Sequence, residues 1–335
     1  MIYIVIAFLW VSICLYLIFG GADFGAGIVE LFSSKKYKSR TKTIMYNSIG
    51  PIWEANHMWL IIAIVVLFVG FPVIYADVSN YLHIPLVIML LGIIARGTSF
   101  TFRNYDVIND KWHNLYDVIF TYSSIVTPFF LGIIAGAIVS GSIDNNAIGF
   151  QDAYIFSWLT WFNLSVGLFT TTICAFLASA YSIQTVNEEE DRVKLRRRAK
   201  IYTIAIFAVG AIVFAVSLWK EIPLFDWITD QIYGYIAVTL ATLSIVLLLV
   251  SLNQKKDNYI KVYAALIVVM ILFAASYSHY PNLLYFSDGS TLSLIDNNGG
   301  QGAINMLAWA LMLGSIFILP FFFYLIYSFN QKQKI

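Results

Sequence analysis

Charge is scarce in this sequence. Only 12% of its 335 residues are Asp, Glu, Lys or Arg, while 60% are hydrophobic, and soluble domains carry about 25% charged residues. So little charge, with many long apolar runs, excludes an ordinary soluble protein. It favours an all-α polytopic membrane protein, because open sheets do not cross a bilayer. The net charge of +1 gives no indication of nucleic-acid binding, and we expect no nucleic acid as a partner.

Cysteine and histidine are also rare. Cys14 and Cys174 lie inside apolar runs with no CxxC spacing and no neighbouring histidine, so we expect core residues and not a disulfide or a zinc site. The four histidines form no mid-depth pair on one helix, as an intramembrane haem would require. Nucleotide-binding loops are absent from the sequence as well. We therefore expect no catalytic, haem-binding or metal-binding residues in this chain.

The apolar runs predict about nine transmembrane helices. The first run lacks a basic leader and a small-residue cleavage site, so we interpret it as a retained helix. A single integral-membrane domain is expected over 1–335, with two helical bundles that divide near 184–200. The nine segments lie at about 2–32, 50–76, 82–102, 115–140, 154–183, 201–219, 230–252, 259–279 and 303–328.

Basic residues are distributed unevenly among the loops. Eighteen of the 20 Lys and Arg residues fall in loops 33–49, 103–114, 184–200 and 253–261 and in the C-terminal tail. All of these regions share one side of the membrane if nine helices cross it. The positive-inside rule then predicts the N-terminus outside and the C-terminus in the cytoplasm.

Ionisable residues within the spans are few, and each is expensive in a bilayer unless it is paired or hydrated. At a rise of about 1.5 Å per residue, Asp23, Glu54 and Arg96 reach similar depths on the expected cytoplasmic side. A buried arginine needs a carboxylate partner, and either Asp23 or Glu54 can serve. Glu54 also fits a plain first-turn carboxylate, which the helix dipole favours.

This polar set has two interpretations. In the first, an ion pair joins the first three spans and has only a structural role. In the second, the groups begin a proton path from the cytoplasm, with Asn56 and His57 beside Glu54 as further members. Spacing alone slightly favours the structural pair.

Three motifs resemble a known family. Residues 21–27 (GADFGAG), 49–60 (IGPIWEANHMWL) and 96–103 (RGTSFTFR) closely resemble motifs of subunit II of cytochrome bd-type quinol oxidases, in the same order and at the same spacing. The similarity is strong over residues 1 to about 130. Beyond that, the similarity depends on the helix count and on a weaker sequence match at 305–309.

The resemblance implies a respiratory function. In this family, a heterodimer in the bacterial cytoplasmic membrane oxidises quinol and reduces dioxygen to water as an electrogenic terminal oxidase. Subunit I carries the b-type haems, haem d and the quinol site, whereas subunit II binds no haem and supports the complex. Protons come from the cytoplasm. A small accessory subunit, and a quinone or lipid bound in this chain, stay open, as does the choice between ubiquinol and menaquinol.

The resemblance also implies roles for particular residues. The family's proton-path carboxylate corresponds to Glu54, where Asp is more usual, and this shifts the balance toward a proton path. His57 stands where Glu or Gln is frequent, and its imidazole adds a group that exchanges protons near neutral pH. Membership of Asp23 and Arg96 in the path is less directly implied. The rival functions are a proton-coupled secondary transporter and a purely structural membrane subunit.

Overall fold

The computed structural model describes residues 1–50, 53–105 and 112–332. Pro51, within the second predicted segment, lies outside these ranges, as do Lys111 and Lys334 of the basic regions. Nine helices within the described ranges are long and apolar enough to cross a membrane. The predicted number of spans is therefore confirmed, and we describe the chain as a multi-pass membrane protein.

The elements follow one another with short connections. The α-helices are α1 Ile2–Leu15, α2 Gly21–Leu31, α3 Lys38–Ile49, α4 Trp53–Gly70, α5 Pro72–Tyr81, α6 His83–Tyr105, α7 Trp112–Ser140, α8 Phe150–Tyr154, α9 Trp161–Ser182, α10 Glu189–Trp219, α11 Leu224–Thr229, α12 Ile232–Gln254, α13 Ile260–Ser276 and α14 Gln301–Lys332. Strands β1 Asn282–Tyr285 and β2 Thr291–Ser293 form an antiparallel hairpin between α13 and α14.

The first span is one continuous helix with a π-helical turn in its middle. Tyr16–Gly20 forms this turn between α1 and α2, and the Gly21 N–H reaches the carbonyl oxygens of both Leu17 and Tyr16. Such a turn inserts one extra residue and rotates the side chains that follow it. The two halves of this span consequently present different faces to their neighbours.

Helices α2, α7 and α9 form the centre of the bundle. A Cβ atom on Gly25 would overlap the Cys174 carbonyl oxygen of α9, and one on Gly27 would overlap the Ser124 hydroxyl of α7. These glycines let the backbones approach closely, as small residues do in membrane helix packing. The glycine-rich end of the first span is therefore packed closely against its neighbours.

Several boundaries differ from the sequence-based prediction. The basic stretch predicted as a loop contains α3, and the second apolar segment is interrupted at Phe71, where α5 begins with a proline in its first turn. The fifth span begins at Trp161 and not near 154. The charged run before the sixth span belongs to the same helix, α10.

Two ends of the bundle can be distinguished by their charge. At the basic end, which contains α3, Arg40 pairs with Glu188 and Asp191 at 2.7 Å each. At the opposite, acidic end, Asp288 after β1 accepts hydrogen bonds from Ser290 and Asn145. These hydrogen bonds, chiefly those from the hydroxyl and the N–H of Ser290, lower the pKa of Asp288 to about 2.

Candidate functional site

A buried ion pair joins the first and third spans. Arg96 of α6 donates from Nη1 to Asp23 Oδ2 and from Nη2 to Asp23 Oδ1, both at 2.7 Å, and a third bond reaches the Asp23 carbonyl oxygen at 2.8 Å. The side chains are 1% and 0% exposed. Such bidentate geometry is the strongest form of an arginine–carboxylate contact. Of the two acids predicted as partners of Arg96, the structure selects Asp23.

A second buried ion pair repeats this arrangement about two helical turns nearer the basic end. Arg103 Nη2 donates to Glu30 Oε2 at 2.8 Å, and both side chains are at most 2% exposed. Arg103 Nε also lies 3.6 Å from Asp117 Oδ1, which accepts a hydrogen bond from Lys42 at 2.6 Å. Arg103 is thus linked to the surface at the basic end by the partly exposed Asp117 and Lys42.

The two ion pairs enclose an aromatic ring and a small cavity. The guanidinium carbons of Arg103 and Arg96 lie 4.1 and 4.9 Å from the centre of the Phe120 ring, within cation–π range. Arg96 Nε donates to Ser124 Oγ at 3.1 Å. The cavity, of ≈ 10 Å³ for a water-sized sphere, is lined in part by Asp23 and both arginines. It has room for about one water molecule.

His57 of α4 lies against the buried carboxylate. Its Nε2 atom is 3.8 Å from Asp23 Oδ2. The imidazole packs among Tyr16, Phe24 and Trp53, with ring centres 6.0–6.4 Å apart. The side chain is 19% exposed, so His57 lies between the surface and the fully buried ion pair.

Glu54 lies in the first turn of α4 and is exposed. It forms no ion pair or hydrogen bond with any of the described residues. Because it precedes His57 by three positions, the two side chains lie on neighbouring parts of one helix face. The structure thus places Glu54, His57 and Asp23 in order of increasing burial.

Four buried polar atoms of the first span and α4 find no hydrogen-bond partner among the described residues. Asn56, from the predicted site, is 1% exposed, and the side chains of Tyr16 and Trp59 are similarly enclosed. The atoms are Tyr16 OH, Asn56 Oδ1, His57 Nδ1 and Trp59 Nε1. Buried polar groups are rarely left unpaired, so each of these atoms indicates a position where water or another polar group binds.

Some residues of this site were missed in the sequence. The Glu30–Arg103 pair escaped notice because Arg103 was assigned to a loop, although Glu30 was placed within the first span. The signal was available, since Asp23 and Glu30 are seven residues apart and so are Arg96 and Arg103. That shared interval puts two acids and two bases on facing helix sides.

The comparison with known proteins decides the family. The sequence profile of the family described as "Cytochrome bd terminal oxidase subunit II" matches residues 1–329. The chain belongs to this family. It is therefore a subunit of a bd-type quinol oxidase, which works with a partner subunit I in a complex that contains haem.

Individual relatives agree with this assignment. The chain is 25% identical to cytochrome bd ubiquinol oxidase subunit 2 of Bacillus subtilis, over 95% of this chain and 90% of that protein. It is 25% identical to cytochrome bd-I ubiquinol oxidase subunit 2 of Escherichia coli K12, over 95% and 92%. Its fold matches the bd oxidase structure from Geobacillus thermodenitrificans with a TM-score of 0.78, 18% identity and 98% coverage of both chains.

Three of the four histidines have contacts that the structure describes. His57 lies against Asp23, His83 Nδ1 lies 2.8 Å from the Asn80 carbonyl oxygen, and His279 Nδ1 lies 3.0 Å from that of Ala275. These three histidines pack among different aromatic neighbours. Within the described ranges, no three His, Cys, Asp or Glu residues are grouped as metal ligands.

Proposed function

We propose that this subunit forms the cytoplasmic proton entry of its quinol oxidase complex. Glu54 stands at the entrance, His57 carries the proton inward, and the Asp23–Arg96 pair is the buried electrostatic partner of His57. Asn56 belongs to the same polar surface. The single observation that carries this proposal is the approach of His57 Nε2 to Asp23 Oδ2, at 3.8 Å.

The chemistry of this contact suits proton transfer. Imidazole exchanges protons close to neutral pH, and a nearby carboxylate stabilises its charged form. Arg96 neutralises Asp23 through two bonds of 2.7 Å, so His57 faces a neutral pair and not an isolated negative charge. The neutral pair therefore does not hold a proton on His57 as an isolated carboxylate would.

The rest of the proposal follows the family resemblance and the charge pattern. The complex oxidises quinol and reduces dioxygen to water, with b-type haems and haem d held by subunit I. The chain lies in the bacterial cytoplasmic membrane with its basic end inside, which places Glu54 at the source of the protons.

The direct test is Glu54→Gln in the complex purified with its partner subunit. The amide keeps the shape of the side chain but neither binds nor releases a proton, so quinol-dependent oxygen consumption should fall at least about tenfold. Haem absorbance and the amount of the second large subunit should stay at wild-type levels. Proton uptake by reconstituted vesicles should slow in parallel with turnover.

The matched control is Glu190→Gln, which removes a carboxylate that is 76% exposed at the same end of the bundle. This variant should turn over normally. Wild-type turnover of Glu54→Gln with full haem content would remove Glu54 from the path. A loss of haem in that variant would instead assign it to assembly.

A further inference from the structure

The unpartnered polar atoms lie deeper in the bundle than Glu54. Asn56 and Trp59 are three residues apart on α4, which places them on one face of that helix. Tyr16 and Trp59 belong to one buried cluster that also contains Phe24 and Phe322. Tyr16 lies about two turns farther from the basic end than Asp23 on the first span. The set therefore extends the site away from the basic end.

The composition of this set indicates which ligand it binds. Trp59 Nε1 only donates a hydrogen bond, Asn56 Oδ1 only accepts one, and Tyr16 OH does both. An anion would satisfy donors alone and a cation acceptors alone. Water donates two hydrogen bonds and accepts two, so it satisfies the whole set.

The backbone holds Tyr16 in place. Tyr16 opens the π-helical turn, and a Cβ on Gly20 would come within 2.9 Å of its ring atom Cε2. Gly20 therefore leaves the space in which the ring lies against its own helix. The Tyr16 and His57 rings are neighbours, with centres 6.2 Å apart. π-Helical turns are often found at functional sites.

We propose that Tyr16, Asn56 and Trp59 line a short chain of water molecules that continues the proton route beyond His57. This inference rests on the proposed function above. His57 accepts one proton from the Glu54 side and releases one from Nδ1 to the water beside the Tyr16 hydroxyl. The hydroxyl orders that water and is a positioning group, because it neither gains nor loses a proton overall.

The test uses Tyr16→Phe in the intact complex, with normal haem absorbance as a precondition. Loss of one ordered hydrogen bond should slow turnover by roughly three- to tenfold. It should also increase the solvent isotope effect on oxygen consumption. Gly20→Ala should reproduce both changes while keeping the hydroxyl, because the added Cβ displaces the ring. The control is Tyr277→Phe, whose hydroxyl donates to the Ile228 carbonyl oxygen at 3.0 Å; turnover should not change.

Thermal unfolding distinguishes a Tyr16 hydroxyl that binds water from one that is buried without a partner. The unfolding temperature of Tyr16→Phe should shift in opposite directions in these two cases. If water binds the hydroxyl, Tyr16→Phe should lower the unfolding temperature by roughly 1–2 °C. A rise in that temperature with unchanged turnover and isotope effect would overturn the water chain. A fall in that temperature with unchanged kinetics would also overturn it, since the hydroxyl would then be only structural.

The outcomes also separate this inference from the proposed function. Slow turnover of Glu54→Gln together with normal kinetics of Tyr16→Phe would overturn the water chain and leave the entrance in place. A slow Tyr16→Phe variant with an increased isotope effect supports the water chain, whatever Glu54→Gln does. Ordered density of a lipid or quinone headgroup on these atoms in the complex would replace the water and overturn the inference.

Discussion

At the scale of single residues, Arg96 is held by an extensive set of buried contacts. Three of its hydrogen bonds reach Asp23 and a fourth reaches Ser124. Its guanidinium also lies over the rings of Phe24 and Phe120. No part of this network reaches solvent, since both charged side chains are at most 1% exposed. Removal of the cation would therefore leave a carboxylate in an apolar surrounding.

We predict that Arg96→Leu prevents accumulation of the complex. An uncompensated buried charge destabilises the fold by about 3–5 kcal/mol, because Asp23 would lose its only bidentate partner among the described residues. The yield of haem-containing complex in membranes measures this effect. The double variant Asp23→Leu/Arg96→Leu should recover much of the yield without recovering turnover. Normal yield of Arg96→Leu alone would contradict the structural importance of the pair.

The residues of the site were predictable to different degrees. Asp23, Glu54 and Arg96 stood out because charge is rare within apolar runs. The choice of Asp23 over Glu54 as the partner of Arg96 was not accessible, since similar depth does not fix the rotation of a helix. The Tyr16 hydroxyl carried no signal, because tyrosine is common in this sequence and the π-helical turn that positions it has no distinctive residue pattern.

At the scale of elements, the packing of α2 on α9 depends on one missing side chain. Gly25 faces the backbone of α9 at Cys174, where a neighbour cannot rotate away. Backbone contacts of this kind leave no inexpensive adjustment. The packing of α2 on α9 is therefore more sensitive to substitution at Gly25 than at the larger apolar residues of these helices.

We predict that Gly25→Ala separates α2 from α9 and destabilises the subunit. The expected loss is about 1–3 kcal/mol or more, because overpacking forces a backbone shift. It would appear as a lower unfolding temperature of the purified complex. Gly302→Ala in α14 is the matched control, since no atom lies within 4 Å of a Cβ at that position. The Gly302→Ala substitution should leave the unfolding temperature of the complex unchanged or raise it slightly. Equal unfolding temperatures of the Gly25→Ala and Gly302→Ala complexes would refute the close approach of α2 to α9.

The length of the apolar runs predicted the membrane spans better than it predicted the elements that connect them. Helix α3 was missed because its residues are mainly polar and basic, so hydropathy gave no sign of it. The β-hairpin was missed because its strands of four and three residues are too short for a clear alternation. Both elements are stabilised by contacts with distant parts of the chain, which a local pattern does not show.

At the scale of the whole molecule, polar contacts connect distant parts of the chain at each end. At the basic end, Arg196 Nε donates to Asp257 Oδ1 at 2.9 Å, which ties α10 to the turn before α13. At the acidic end, Asn145 donates to Asp288 at 2.9 Å and connects the loop after α7 to the hairpin. These contacts restrain segments that the apolar packing of the spans leaves free.

We predict that the acidic-end contact resists moderate acid. The pKa of Asp288 is lowered from 3.8 to about 2, so its contribution to stability is complete above the ordinary value and disappears as the pH falls through about 2. The difference in unfolding temperature between the wild-type complex and Asp288→Asn should stay constant from pH 7 to pH 5. A difference that shrinks within that range would show that the carboxylate is not hydrogen-bonded as described.

The overall architecture was the most predictable level. Composition alone excluded a soluble fold, the apolar runs gave the nine spans, and three short motifs gave the family. What a second chain contributes cannot be read from one sequence.

The paired acids and bases also constrain the biogenesis of the subunit. Asp23 and Glu30 belong to the first span, whereas each arginine partner follows 73 residues later in synthesis. A charged residue within a span disfavours its insertion, and the first span gains its compensation only after the third has been translated. The nascent first helix must therefore stay near water, or within the insertion machinery, until the third helix arrives. Folding and membrane integration of these spans are in this sense a single event.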